Sequence, residues 1–179
     1  MDPLNLVGSR APGFRLCDLN GVEHSLDSAR GSVLVLIFWS AECPHVRRLD
    51  EALGQSPAFA APGVAGWRIA SNANESPQTL RRAAGGVSVS PVLLDLDGQV
   101  ADAYQAQVTP HVFVLDREGV VRYTGAPDDV TFRQRTPTRS YLTEAVASVV
   151  RGEMPDPASV PAFGCALIRL APGDVPPES

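Results

Sequence analysis

Seven consecutive apolar residues, Val33-Leu34-Val35-Leu36-Ile37-Phe38-Trp39, constrain this chain more than any other segment. A short, continuous run rich in β-branched and aromatic side chains is the pattern of a central strand buried on both faces. It is the longest apolar run of the chain and far too short to span a bilayer. From Pro44 the period becomes helical, with Val46, Leu49 and Leu53 on one face and Arg47, Arg48, Asp50 and Glu51 mostly off it. A buried strand feeding an amphipathic helix predicts an α/β fold.

The flanking segments extend that frame. Residues 1–13 form an arm ending at Pro12-Gly13, and Phe14 to Leu26 is predicted as a hairpin turned at Asn20-Gly21. A second strand is expected at Val64 to Ser71. A helix follows, capped by Ser76-Pro77 and ending at Gly85-Gly86. Val92 to Asp95 is a short third strand, with a brief helix around Gln99 to Tyr104. A second hairpin pairs Val112–Leu115 with Val120–Tyr123. The last helix is expected to start at Thr136-Pro137, bury Leu142, Ala145, Val146, Val149 and Val150, and stop at Gly152 and Pro155. From Glu153 the chain holds six prolines in 27 residues, too many for regular structure. Its apolar island Phe163 to Ile168 is expected to dock on the core. Asp128-Asp129 is predicted as a loop N-cap or solvated turn rather than a pair of metal ligands, and Phe132-Arg133-Gln134-Arg135 as a solvated connector or an anion-contacting patch.

Composition removes several chemistries. All 15 basic residues are arginine, so P-loop, pyridoxal and lysine-base chemistry are excluded. A net charge of −5 argues against binding a phosphate backbone, so no nucleic-acid partner is expected. The N-terminus, Met1-Asp2-Pro3-Leu4-Asn5-Leu6, has neither the basic nor the long apolar region of a secretory signal. A cytoplasmic protein without a membrane partner is expected, although a removed leader would leave the same sequence. The three cysteines, Cys17, Cys43 and Cys165, are an odd number, so at least one thiol is free of any intramolecular disulfide.

Cys43 is the most informative of the three. With Pro44 as the first helical residue, Cys43 takes the N-cap position, where unpaired backbone N–H groups and the helix dipole favour a thiolate. Arg47, one turn on, adds positive charge, and Glu42 opposes it. The alternative is a buried, inert cysteine.

Four segments in order resemble the thioredoxin-like redoxins, the AhpC/TSA-type group that contains peroxiredoxins and thiol–disulfide oxidoreductases. They are Ala11-Pro12-Gly13-Phe14-Arg15-Leu16 with Asn20-Gly21, Phe38 to Pro44, Thr109 to Asp116, and Arg122-Tyr123-Thr124-Gly125. The segment Gly164-Cys165-Ala166-Leu167-Ile168 resembles a peroxiredoxin-like subgroup that ends in a Gly-Cys motif. The resemblance implies a central mixed sheet flanked by helices over residues 8–151, with an N-terminal β-hairpin. An irregular C-terminal extension over residues 152–179 would carry Cys165. It further implies that Thr109-Pro110 is a cis peptide whose loop abuts Cys43 and exposes backbone groups to an extended peptide substrate.

The departures from the family are specific. Thioredoxins carry Cys-x-x-Cys, whereas Cys43-Pro44-His45-Val46 excludes a local dithiol. Peroxiredoxins place a proline seven residues before the reactive cysteine and Thr or Ser three before it; Leu36 fails the first and Ser40 meets the second. Pro110 stands where those enzymes have a peroxide-polarising arginine, a part that Arg47 or Arg122 could fill only without a motif match.

The resulting expectation is a thiol-dependent oxidoreductase, either a thiol–disulfide exchanger or a peroxiredoxin-like antioxidant peroxidase. Cys43 would be the nucleophile and Cys165 the resolving thiol, with Ser40, Pro44, Arg47, Thr109 and Pro110 in support. Peroxide, or a protein or low-molecular-weight disulfide, is the expected oxidant, with an electron donor that the sequence does not identify. No cofactor is expected. The competing expectation is a non-catalytic metal-binding or protein-docking module, in which Cys43, Cys165, His45 and His111 form a Cys₂His₂ set. Copper-delivery relatives use two nearby cysteines, and that local pair is missing here. His45 could also tune the thiol or donate a proton. Cys17 is expected to pack within the first hairpin and His24 to be solvated.

Overall fold

The computed structural model describes residues 6–85 and 91–169. Its centre is a five-stranded mixed sheet in the order β5-β4-β3-β7-β8. These strands are β3 (Val33–Trp39), β4 (Val64–Ala70), β5 (Val92–Leu94), β7 (His111–Leu115) and β8 (Val121–Gly125). β3, the apolar run, is buried at all seven positions. It pairs in parallel with β4 and antiparallel with β7, so neither of its edges is free. Its residues alternate between two cores, as the pleat requires. Val33, Val35, Ile37 and Trp39 meet α1 (Pro44–Gly54), α2 (Pro77–Ala84) and α4 (Tyr141–Val150). Leu34, Leu36 and Phe38 meet α3 (Gln99–Ala103), Tyr104 and the N-terminal segment around Phe14.

The N-terminal hairpin pairs β1 (Arg15–Cys17) with β2 (Glu23–Ser25). The sequence predicts that Cys17 packs within this hairpin, and the structure corrects it. Leu16 turns inward between two exposed neighbours, so Cys17 is an exposed free thiol. Nor is His24 solvated. Its Nε2 pairs with Asp18 at 3.1 Å and its ring meets the Trp67 edge, which ties the hairpin to the sheet.

The last helix also starts later than predicted. The Asp129 carboxylate accepts hydrogen bonds from the backbone N–H groups of Thr138 and Arg139, which holds that stretch in a loop. Ser140 becomes the N-cap, accepting from the Thr143 N–H. Asp128 and Asp129 therefore cap backbone N–H groups of the loop, one of the two expected roles, and do not form a solvated turn. Asp128 is buried and pairs with Arg48 of α1, while Asp129 organises the loop. Its hydrogen bonds from Thr138, Arg139 and Gln134 hold the Asp129 carboxyl well below the usual carboxylate range.

The proline-rich tail holds more order than its composition predicts. It runs parallel to β8, with Thr124 N–H donating to Ala158 and Val160 N–H donating to Thr124. It then forms a two-residue strand, β9 (Cys165–Ala166), antiparallel to β6 (Val108–Thr109). Gly125 permits the first contact, since a Cβ there would lie 1.8 Å from the Val160 carbonyl oxygen. Of the predicted helix stop Gly85-Gly86, Gly85 is the C-cap of α2 and Gly86 lies outside the described residues. No helix among the described residues is long and apolar enough to cross a membrane.

Candidate active site

Three elements converge on Cys43. β3 delivers the chain to the edge of the core, the Ser40–Cys43 loop reverses it, and Pro44 opens α1. Cys43 is the N-cap, with extended φ/ψ of −80° and 119°. Its carbonyl accepts from Val46 and Arg47. Its side chain is only 4% exposed, and Sγ donates to the Thr109 carbonyl at 3.2 Å. Thr109-Pro110 is cis, so β6 ends against the thiol.

β9 brings Cys165 to the same place. Thr109 and Cys165 are register partners across the β6–β9 ladder. Cys165 remains half-buried. Burial pushes its thiol up to about 12, and a hydrogen bond to Cys43 together with Cys43's charge pushes in the same direction. Cys165 is therefore a protonated thiol at neutral pH, packed against the core cluster that contains Cys43. The two cysteines, 122 residues apart in sequence, are both brought to Thr109 because the tail crosses the cis-proline turn.

Gly164 makes that crossing possible. A Cβ at this position would lie 2.0 Å from the Thr109 carbonyl oxygen and 3.1 Å from Pro110 Cδ. Only a residue without a side chain lets the tail backbone approach so closely.

The supporting residues are placed unequally. Ser40 is buried, but its hydroxyl donates to Glu75 Oε1 at 2.6 Å. The Glu42 N–H donates to the same oxygen at 3.1 Å. Ser40 and Glu75 thus shape the loop that presents Cys43. Glu75 is 3% exposed, and its Oε2 has no partner among the described residues. Sequence reasoning missed this residue, because its contact with Ser40 spans 35 positions and no local pattern marks it. Arg47 is exposed, lining a groove of about 580 Å³ with Trp39, Asp50 and Glu51. Arg122 is engaged by Asp116 at 2.6 Å.

The histidines do not converge on the thiols. His111 is buried, stacks on Phe113 at 4.6 Å and shares a hydrogen bond with Thr124 Oγ1 at 3.0 Å. Burial lowers its pKa to about 4, so it is neutral at physiological pH. The His45 ring packs edge-on against Phe163 at 5.2 Å, and Phe163 meets the exposed Phe132 at 4.8 Å. The expected Cys₂His₂ set therefore does not assemble. Among the described residues, no three His, Cys, Asp or Glu side chains are placed to hold a metal ion.

A cysteine-bearing loop after the central strand, facing a cis-proline turn, is the layout the sequence resemblance implied. Residues 7–124 match the family model described as the AhpC/TSA family. The chain belongs to the AhpC/TSA family. The chain is 33% identical over 118 residues to the thiol-disulfide oxidoreductase ResA of Geobacillus kaustophilus, covering 65% of this chain and 67% of that one. It is 34% identical over 116 residues to ResA of Bacillus subtilis, covering 64% of each. Among solved structures, it resembles a hypothetical protein from Sinorhizobium meliloti 1021 with a TM-score of 0.78 and 30% identity. That match covers 93% of this chain and 96% of the other. An uncharacterized conserved protein from Geobacillus kaustophilus superposes with a TM-score of 0.82 at 25% identity, covering 94% of each chain. The fold is thioredoxin-like and the family relationship is redoxin. The stretch that delivers Cys165 lies beyond the residues the family model matches.

Proposed function

We propose that the chain is a thiol–disulfide oxidoreductase in which Cys43 attacks the oxidant and Cys165 resolves the product. The observation that carries this is the β6–β9 pairing, which sets Cys165 opposite the residue whose carbonyl receives the Cys43 thiol. The relatives named thiol-disulfide oxidoreductases support the same chemistry.

In the first step the Cys43 thiolate attacks one sulfur of a disulfide RS–SR. An S–S bond to Cys43 forms, the RS–SR bond breaks, and RS⁻ leaves to take up a proton. Cys165 then attacks Cys43 Sγ, expelling the second RS⁻ and closing a Cys43–Cys165 disulfide. Substrate is reduced by two electrons and the thiol pair is oxidised by two.

Disulfide is favoured over peroxide by the site itself. Pro110 occupies the place of the peroxidase arginine, and the Ser40 hydroxyl is turned to Glu75. The test is peptide mapping without reductant, after the reduced protein meets one equivalent of oxidised dithiothreitol. A Cys43–Cys165 cross-link is expected. Cys165→Ser treated with oxidised glutathione should keep a stable mixed disulfide on Cys43. Absence of both products would overturn the proposal.

A further inference from the structure

We propose that this site acts on low-molecular-weight disulfides and turns away extended polypeptides, because the chain's own tail already fills the strand edge beside the nucleophile. This rests on Cys43 being the nucleophile.

A polypeptide docking beside Cys43 by main-chain pairing would add a strand to β6. Here β9 holds that edge, with Val108 opposite Ala166 and Thr109 opposite Cys165. The occupation continues on both sides. Leu167 N–H donates to the Gln107 carbonyl at 2.8 Å, and Leu167 is buried in the core beneath. Ile168 N–H donates to Asn72 Oδ1 at 2.8 Å, while the Ile168 carbonyl accepts from Ala73 N–H at 3.0 Å. Arg169 closes the strap through Asp102 at 2.9 Å and the Ala106 carbonyl at 2.8 Å. Upstream, the backbone of Gly164 lies flat on the cis-proline turn.

An incoming peptide must therefore displace a strand tethered within the same molecule. Tethering gives that strand an effective concentration of roughly millimolar or more. A ladder only two residues long on the substrate side recovers too little to compete. A small disulfide needs no ladder, only a path for one sulfur to Cys43, whose 4% exposure admits a slender reactant better than a chain. The half-buried Cys165, opposite Thr109, is carried by that same strand and bonds to Cys43 in the resolving step. The tail thus selects the substrate and supplies the second thiol.

The experiment uses the full chain as Cys17→Ser/Cys165→Ser, which removes the exposed thiol and traps mixed disulfides on Cys43. Two probes carry the same 2-nitro-5-thiobenzoate leaving group, one on cysteamine and one on the central cysteine of an extended decapeptide. Release of the coloured thiol gives both rates, each divided by its rate with free glutathione. The cysteamine probe should react at least about tenfold faster after that correction, the margin set by tethered competition. Gly164→Val, whose side chain collides with Thr109, should shrink the ratio by speeding the peptide. Asn72→Ala, which removes only the Ile168 anchor, should shrink it less and guards against a misfolded Gly164 variant. Equal corrected rates in the parent, or a ratio that neither substitution lowers, overturn the selectivity while leaving Cys43 as nucleophile. Failure of both probes to label Cys43 overturns the nucleophile and the selectivity together.

Discussion

Acidification should loosen this fold well above the range where its carboxylates titrate, and His111 is the reason. The residue follows the cis-proline, is 4% exposed, and its ring lies flat on Phe113 with Nε2 on the Thr124 hydroxyl. Burial lowers its folded-state pKa to about 4 from the ordinary 6.5. For a histidine depressed in this way, the unfolded chain binds the proton more tightly. Its contribution is therefore fully present above the unfolded pKa and is lost as pH falls towards the folded one. Integrated over that window, the loss is about 2 kcal/mol between roughly pH 7 and pH 5, and about 3 kcal/mol by roughly pH 4. The assay is urea unfolding of the reduced protein across that range, comparing wild type with His111→Gln. The amide can keep the Thr124 hydrogen bond but does not titrate. Wild type should lose about 2 kcal/mol and the variant well under half of that over the same interval. Equal slopes in the two proteins would refute the assignment of the acid sensitivity to His111.

The remaining predictions concern charge and packing around the site. Arg68 is 1% exposed, its ion-pair partner is Asp50, and Asp50 also accepts from Trp39 Nε1. Asp50→Ala leaves the guanidinium buried without a counter-charge and should cost about 3–5 kcal/mol in denaturant unfolding. Glu75→Ala removes the shared acceptor of the Ser40 hydroxyl and the Glu42 N–H, and should cost about 1–3 kcal/mol. It should also change the rate at which iodoacetamide labels Cys43, measured in a Cys17→Ser/Cys165→Ser background. Gly125→Ala places a Cβ where the Val160 carbonyl sits, so amide exchange over residues 158–167 should accelerate more than in β3.

How far the sequence could be read depended on whether a feature is local. β3 was legible because burial on both faces writes a continuous apolar run, and α1 because its inward stripe recurs at helical spacing. The N-cap position of Cys43 followed from Pro44 alone. Cys17 shows a signal that was present but outweighed. Alternation from the inward Leu16 points the neighbouring thiol to solvent, against the usual burial of free cysteines. Thr136-Pro137 failed as a helix start because Asp129, several residues earlier, captures the N–H groups of Thr138 and Arg139 that follow it. Docking of the Phe163–Ile168 island was legible from its apolarity, but its pairing with Val108–Thr109 was not. Two-residue strands leave no periodicity, and Glu75 leaves none either, since its role exists only in the folded loop.

Placing the second thiol on the tail instead of the helix, as proposed, would change the energetics of the couple. Val46, where a Cys-x-x-Cys would place it, is 1% exposed and lies on the inner face of α1 as a core residue. A disulfide between Cys43 and Cys165 would close a loop of 122 residues instead of a single helical turn. Restricting the unfolded chain over that span stabilises the oxidised fold by about 5 kcal/mol in the loop-entropy model, before any native-state strain is subtracted. Linkage requires the reverse effect of equal size: folding favours the disulfide over the dithiol by the same about 5 kcal/mol, roughly 100 mV. The reduced pair is then a stronger electron donor than the same two cysteines in an unfolded chain, which suits a reductant of small disulfides. Urea midpoints of the oxidised and reduced protein, with Cys17→Ser to prevent mispairing, measure the difference directly. A substantially higher midpoint for the oxidised form is expected. Equal or inverted midpoints would mean that the tail must distort to bring the sulfurs together, and that the close β6–β9 register does not preorganise the bond.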